Sequence, residues 1–237
     1  MVRVFCDFDG TVSPIDIGNR FFRTYVGELA NEIVKGYLDG TATARECLTR
    51  ECAAVKNVTA AEFESFLEQF SLDPYFKGFV DFCNEREIPL AILSDGLDFY
   101  VGRILARHGL GRLPWYANHL EFVTTAGGTS LEVSFPYADA ECDYCGNCKR
   151  NHMLTQSADE DVVVYVGDGI SDRCPVRFAD IVFAKRSLIK YCQEQNISYH
   201  AFDDFREVHA RLAEILQHKP KRRREAVMAR REVFMQG

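Results

Sequence analysis

Five residues near the start of the chain, Asp7-Phe8-Asp9-Gly10-Thr11, have the types and spacing to do chemistry on an anion. They close an apolar run, Val2 to Phe8, that carries two carboxylates two positions apart. A short apolar run bounded by a turn signal predicts a buried strand. Side chains at i and i+2 of a strand share a face, so Asp7 and Asp9 would converge at its end. There each negative charge disfavours ionisation of the other unless a cation intervenes. Mg²⁺ takes oxygen ligands, usually only one or two carboxylates among them, and would resolve the pair. Gly10 lets the backbone turn past the site. A strand followed by an ordinary acidic turn is the alternative for this stretch alone.

Other elements must position such a site. Ile17, Phe21, Phe22, Tyr25, Leu29, Ile33, Val34 and Leu38 recur at helical spacing until Gly40-Thr41. Two more helices are predicted over residues 45–55 and 60–70, the second with Thr59 and Glu62 at capping-box spacing. Residues 14–73 therefore read as an all-helical cap inserted into a larger core of residues 1–13 and 74–216. In that core, helix 76–86 precedes a buried strand, 88–93, ending in Ser94-Asp95-Gly96. Helix 99–108, a β-hairpin around Gly127-Gly128 and a helix from about Lys149 follow. Strand 162–166 ends in Gly167-Asp168-Gly169; strand 181–183, an edge strand at 198–201 and helix 205–216 close the core. Strands alternating with helices predict an α/β fold with a doubly wound parallel sheet. Ligands in such folds bind outside the carboxyl ends of the strands, where Asp7/Asp9/Thr11, Ser94/Asp95 and Asp168/Asp172 all fall.

The totals narrow the partners. At 237 residues the chain can bury one sizeable core, alone or with a small second domain. A net charge of −7 argues against nucleic acid as the main partner. No apolar run approaches the ~20 residues that span a bilayer, and no secretory signal opens the chain, so no membrane association is expected. Nine cysteines, an odd number, fit a reduced, cytoplasmic chain. Cys142, Cys145 and Cys148 have metal-like spacing, but a structural zinc site takes four ligands. Cys174, His119 or His152 would have to supply the fourth; the reading adopted is reduced thiols packing the loop before Lys149. The basic tail, 217–237, holds Lys219, Lys221, Arg222, Arg223, Arg224, Arg230 and Arg231. Such a run can meet polyanions or anionic lipid; the expectation here is a solvated, partly frayed helix.

Together, Asp7-Phe-Asp9-Gly-Thr11, Ser94, Lys149 and Gly167-Asp168-Gly-Ile-Ser-Asp172 resemble the four motifs of the haloacid dehalogenase-like phosphatases, in order, over residues 1–216. The resemblance implies a Rossmann-like core with a helical cap between the first and second motifs. It implies Asp7 as the nucleophile that forms an aspartyl-phosphate, a role open to carboxylates, and Asp9 as general acid, then base. Mg²⁺ would be held by the Asp7 carboxylate, the Asp9 carbonyl and Asp168, with Asp172 orienting them. Thr11, Ser94 with its neighbours Asp95 and Gly96, and Lys149 are implied at the phosphate. Narrower similarity links Ser94-Asp95-Gly96-Leu97-Asp98-Phe99, residues 142–149 and Asn196-Ile197-Ser198-Tyr199 to 2-hydroxy-3-keto-5-methylthiopentenyl-1-phosphate phosphatases of methionine salvage. Tyr165-Val-Gly-Asp-Gly with Asp172-Arg-Cys-Pro175 is similar to phosphoethanolamine/phosphocholine phosphatases. Phosphoserine phosphatases share the cap position and imply a cap carboxylate at Asp16. Their carboxylate-gripping arginine falls near Thr49, with Arg50 adjacent, a departure that disfavours phosphoserine. Phe21, Phe22 and Arg45 are further candidates for cap-side contacts. The expected substrate is a small phosphomonoester, with pyridoxal phosphate a further option, and the expected state a monomer or homodimer. A phosphotransferase passing the same phosphoryl group to an alcohol is the main rival.

Overall fold

A computed structural model describes residues 1–218 and 220–236. Lys219 and Gly237 of the basic tail lie outside the described residues. The chain divides into two compact units: Met1–Val12, Leu72–Leu93 and Lys149–Gly237 form one, and Ser13–Ser71 with Ser94–Cys148 form the other.

The first unit grows around β1 (Val2–Cys6), which opens the chain and pairs in parallel with two later strands. The helix α5 (Phe76–Glu85) leads into β2 (Leu90–Leu97), where Val4 pairs with Leu90 and Cys6 with Ile92. On its other side β1 meets β5 (Val162–Gly167), all six of whose residues are buried. Such a wholly apolar strand is what a sheet covered on both faces requires. β6 (Ile181–Ala184) and the short β7 (His200–Ala201) extend the parallel order β2-β1-β5-β6-β7. The flanking helices of this unit are α7 (Lys149–Thr155), α8 (Ser187–Glu194) and α9 (Phe205–Gln217), with α5 packed on α9 through Phe76, Phe79 and Phe205. The α/β sheet expected from the alternating pattern is present.

The tail corrects an expectation. It forms α10 (Arg224–Gln236), which docks on the first unit instead of fraying into solvent. Ala226 is fully buried, and Arg230 pairs at 3.0 Å with Asp180 while donating to the Phe178 carbonyl at 2.5 Å. Arg231 reaches Asp159 at 2.7 Å, and Arg223 donates to the carbonyls of Val176 and Arg177. The basic run is therefore largely spent on this chain's own carboxylates and carbonyls.

In the second unit, the periodic stretch expected as one helix is two, α1 (Ile17–Val26) and α2 (Glu28–Leu38). The break falls at Gly27, whose φ of 69° is open to glycine at no steric cost. α3 (Ala44–Ala54) and α4 (Ala60–Leu67) each begin with a complete capping box, Thr43/Glu46 and Thr59/Glu62. α6 (Asp98–Arg107) and the antiparallel hairpin β3 (Trp115–Thr125) and β4 (Gly128–Ser134) complete it. Phe63 ties them together, stacking on Phe21 at 3.7 Å between ring centroids and on Phe99 at 5.0 Å. One carboxyl of α3 is buried as well. Glu51 is only 6% exposed, and burial, with the Asp16 charge second, pushes its carboxyl up to about 8.

Two outcomes follow from these contacts. Arg230→Met would leave Asp180 charged and buried, and should cost ~3–5 kcal/mol of stability in urea unfolding. An unchanged midpoint would mean that α10 is not held by this pair. Glu51 takes up its proton in the folded state between its ordinary value and about 8. Wild-type stability should therefore fall as pH rises through that window, by up to ~1.4 kcal/mol per pH unit, relative to Glu51→Gln. Parallel urea midpoints for the two proteins at pH 5 and 8.5 would contradict the buried-carboxyl account.

Candidate active site

Asp7 is the first residue beyond β1, since the strand stops at Cys6 and not at Phe8. The Asp7 N–H donates to the Val166 carbonyl, and the chain then turns, with Thr11 N–H on Phe8 O and Val12 N–H on Asp7 O. Asp7 and Asp9 thus belong to a turn, and the shared strand face expected from their spacing does not apply. The turn is tight at Gly10, where φ is 79° and any Cβ would overlap the Asp168 carboxylate and the Arg186 guanidinium.

The residues that converge on Asp7 come from α7 and the loop after β5. Ligand-capable carboxylate oxygens of Asp7, Asp168 and Asp172 lie within 4.8 Å of one another, all buried. Lys149, the first residue of α7, is 3% exposed and donates from Nζ to Asp7 Oδ1 at 2.5 Å, Asp172 Oδ1 at 2.8 Å and Ser171 Oγ at 2.9 Å. Asp172 accepts further bonds from the Tyr165 hydroxyl at 2.6 Å and, through Oδ2, from the N–H groups of Asp168 and Gly169. Gly167 leaves room for that carboxylate, which a Cβ there would overlap. Asp168 accepts from Arg186 Nη1 at 3.0 Å on Oδ2 and, at 3.4 Å, from Thr11 Oγ1 on Oδ1.

Electrostatics follow from this crowding. Burial, then the Asp172 charge, push the Asp7 carboxyl well above the usual carboxylate range, while Lys149 pulls it back. Burial and Asp172 likewise push Asp168 up to about 6. Burial opposes the Lys149 charge, but Asp172 and Asp7 outweigh it and hold the ammonium protonated. Crowding that disfavours ionisation of Asp7 and Asp168 would be relieved by a further positive charge among these buried carboxyl oxygens. A hard divalent cation fits that donor set.

Of the residues singled out in the sequence, Asp7, Thr11, Lys149, Asp168 and Asp172 are brought together in the first unit. Asp9 sits in the same turn, half-buried, and its carboxylate is not part of the three-carboxylate cluster. Ser94, Asp95, Gly96 and Asp16 lie in the second unit. There Asp16 caps α1 by accepting the Asn19 N–H at 2.8 Å, and Ser94 Oγ accepts the Gly96 N–H at 3.0 Å. Asp95 accepts the Asn147 N–H at 3.0 Å. Phe21 and Phe22 are core residues, 0% and 2% exposed. Arg45 binds the loop carbonyls of Asp139 and Cys142 and, at 2.7 Å, of Cys145. These bonds secure the cysteine segment, whose three cysteines are thiols and not disulfide-bonded. Arg186 escaped the sequence reading, and Tyr165 and Ser171 entered it only as letters of the motifs, with no role of their own. Tyr165 alone carried a signal of one, as a hydroxyl in a wholly apolar strand that must find a buried partner.

The haloacid dehalogenase-like hydrolase family model matches residues 4–175. A 2-hydroxy-3-keto-5-methylthiopentenyl-1-phosphate phosphatase of Bacillus mycoides (strain KBAB4) is 29% identical over 221 residues, which cover 92% of this chain and 99% of that protein. Its counterpart in Bacillus cereus (strain AH187) is 30% identical over 224 residues with the same coverage. The solved structure of a phospho-aspartyl intermediate analogue of phosphoserine phosphatase matches with a TM-score of 0.66 at 18% identity, over 89% of this chain and 99% of that one; at that identity the likeness concerns the fold. The chain belongs to the haloacid dehalogenase-like hydrolases. It is a phosphatase of that family, with the fold its motifs implied.

Lys149→Met tests the charge balance. Without the ammonium, Asp7 and Asp172 face each other in a buried site. The variant should lose ~3–5 kcal/mol in urea unfolding at neutral pH. Stability equal to wild type would show that the carboxylates do not depend on Lys149.

Proposed function

We propose that the protein is a Mg²⁺-dependent phosphomonoester hydrolase that works through an aspartyl-phosphate on Asp7. The observation that carries this reading is Lys149 seated on Asp7 within the Asp7/Asp168/Asp172 cluster. A buried carboxylate must stay ionised to attack phosphorus, and the adjacent ammonium favours that form. In the first step an Asp7 oxygen bonds to phosphorus, the ester P–O bond breaks, and the departing oxygen takes the Asp9 proton. In the second step Asp9 accepts a proton from water as the water oxygen attacks phosphorus. Inorganic phosphate leaves and the Asp7 carboxylate is restored. Mg²⁺, held by Asp7, the Asp9 carbonyl and Asp168, would neutralise phosphoryl charge, the main demand of this reaction class. Thr11, Ser94 with Asp95 and Gly96, and Lys149 make up the proposed phosphate contacts. The helical segment 14–73 would act as a cap that excludes water and selects the substrate, with Asp16 a candidate substrate contact.

For the substrate we favour 2-hydroxy-3-keto-5-methylthiopentenyl-1-phosphate. The support is similarity along nearly the whole length of two phosphatases named for it. A panel with Mg²⁺ tests the reading: this enol phosphate, phosphoserine, phosphoethanolamine, phosphocholine and pyridoxal phosphate, with phosphate release measured with and without added alcohols. The enol phosphate should give the highest kcat/KM, with release independent of alcohol. Asp7→Asn should lower kcat at least about 10³-fold, and Asp9→Asn by about 10²- to 10⁴-fold while still binding Mg²⁺. If wild type and Asp7→Asn were equally inert across the panel, the phosphatase chemistry assigned to Asp7 would be wrong.

A further inference from the structure

Arg186 has a backbone conformation that an arginine should avoid. It follows β6 and precedes α8 with φ 51° and ψ −131°. That lies outside even the small left-handed helical region, where ψ is about +30 to +60°. Such outliers persist only where the surroundings over-determine them, and they cluster at functional sites. The surroundings are visible here. Lys185 N–H donates to the Gly167 carbonyl, while Leu188 N–H and Ser187 Oγ both reach the Asp168 carbonyl, so the chain on either side of Arg186 is pinned to the loop that carries Asp168. The effect of the unusual turn is to deliver the guanidinium to Asp168 Oδ2 at 3.0 Å. Gly10 provides the space, since a Cβ there would meet both groups.

The two cations of the site differ in a way that matters. The Lys149 side chain is 2% exposed and locked between Asp7 and Asp172. The Arg186 side chain is 50% exposed, against 13% for Asp168. A flexible, half-solvated side chain can leave its partner for water at little cost, whereas a buried one cannot. Asp168 is also one of the three carboxylates that a divalent ion in this pocket would draw on.

We propose that Arg186 is a positioning residue that competes with the divalent cation for Asp168. It holds the carboxylate aimed and charge-balanced while the metal is away, and yields it when the ion binds. The proposal rests on the metal reading given above. It explains why a strained arginine stands where glycine would fit the backbone: the charge, and not the turn, is what the position uses.

Calorimetric titration of the full-length protein with MgCl₂ decides the point without recourse to turnover. Arg186→Met removes the competing charge and should bind Mg²⁺ about two- to fivefold more tightly than wild type, the range expected for a partly exposed ion pair. Arg186→Lys keeps a charge and should stay within about twofold. Arg186→Gly suits the backbone, so it should fold even if Arg186→Met does not, and it should match the tighter affinity. Unchanged or weaker Mg²⁺ binding in both neutral variants would overturn the proposal. So would a raised KM with unchanged Mg²⁺ affinity, which would make Arg186 a substrate contact instead. If wild type gives no Mg²⁺ binding that Asp168→Asn abolishes, the metal reading itself fails and the competition fails with it.

Discussion

The structure of the site depends on one buried ammonium. Lys149 Nζ is within 3 Å of Asp7, Asp172 and Ser171, and its charge is what lets two carboxylates share a space from which water is nearly excluded. Pairing of this kind is a poor source of net stability, because desolvation consumes most of the Coulombic gain. Its effect is on arrangement. Asp172 can spend one oxygen on Lys149 and Tyr165 because its other oxygen takes the N–H groups of Asp168 and Gly169. The loop after β5, which carries Asp168, is thereby folded around a carboxylate. Removing any member leaves the others with unpaired charge or unpaired N–H groups, and within a low-dielectric network those losses are coupled.

Within the second unit, the segment that precedes Lys149 in the chain is held by polar contacts. Asn147, two residues before Lys149, is 1% exposed. It donates from its side chain to the carbonyls of Ser94 at 2.7 Å and Tyr116 at 2.9 Å, and from its backbone to Asp95. Arg45 gathers the carbonyls of the preceding cysteine segment, and Cys148 Sγ lies 3.5 Å from an Asp139 carboxylate oxygen. The segment 139–148 has no regular secondary structure of its own. Its order comes from these polar ties, and α7 begins immediately after them.

Much of this was legible in the sequence, for identifiable reasons. β5 announced itself because a strand covered on both faces is apolar throughout. The capping box of α4 could be read because Thr59 and Glu62 satisfy each other locally. Asp7, Asp168 and Asp172 stood out because each follows a strand, where side chains meet in an α/β sheet, and Lys149 joined them only through the resemblance to the family's motifs. The failures share a cause as well. Gly27 in a helical pattern costs only ~1 kcal/mol, so nothing in the local pattern showed that it would end α1. Arg45 was a plausible substrate contact until its partners proved to be carbonyls some ninety-five to a hundred positions away. Spacing along the chain carries no information about such partners.

Arginine shows this limit most clearly. Arg45, Arg186, Arg223 and Arg230 all look like solvent-facing or polyanion-seeking charges in a linear reading, yet each is engaged by a distant part of the fold. A guanidinium offers five donors in a rigid plane and stays charged when buried. One residue can therefore tie together carbonyls and carboxylates that belong to different elements. Arg230 does so between α10 and the Phe178–Asp180 segment, where Asp180 also accepts the N–H groups of Val163 and Arg223. A lysine there would supply the charge without the fork. In this chain, then, carboxylates set the places of Arg186 and Arg230, and backbone carbonyls those of Arg45 and Arg223. The backbone geometry that brings each arginine to its place, including the left-handed φ at Arg186, follows from those partners.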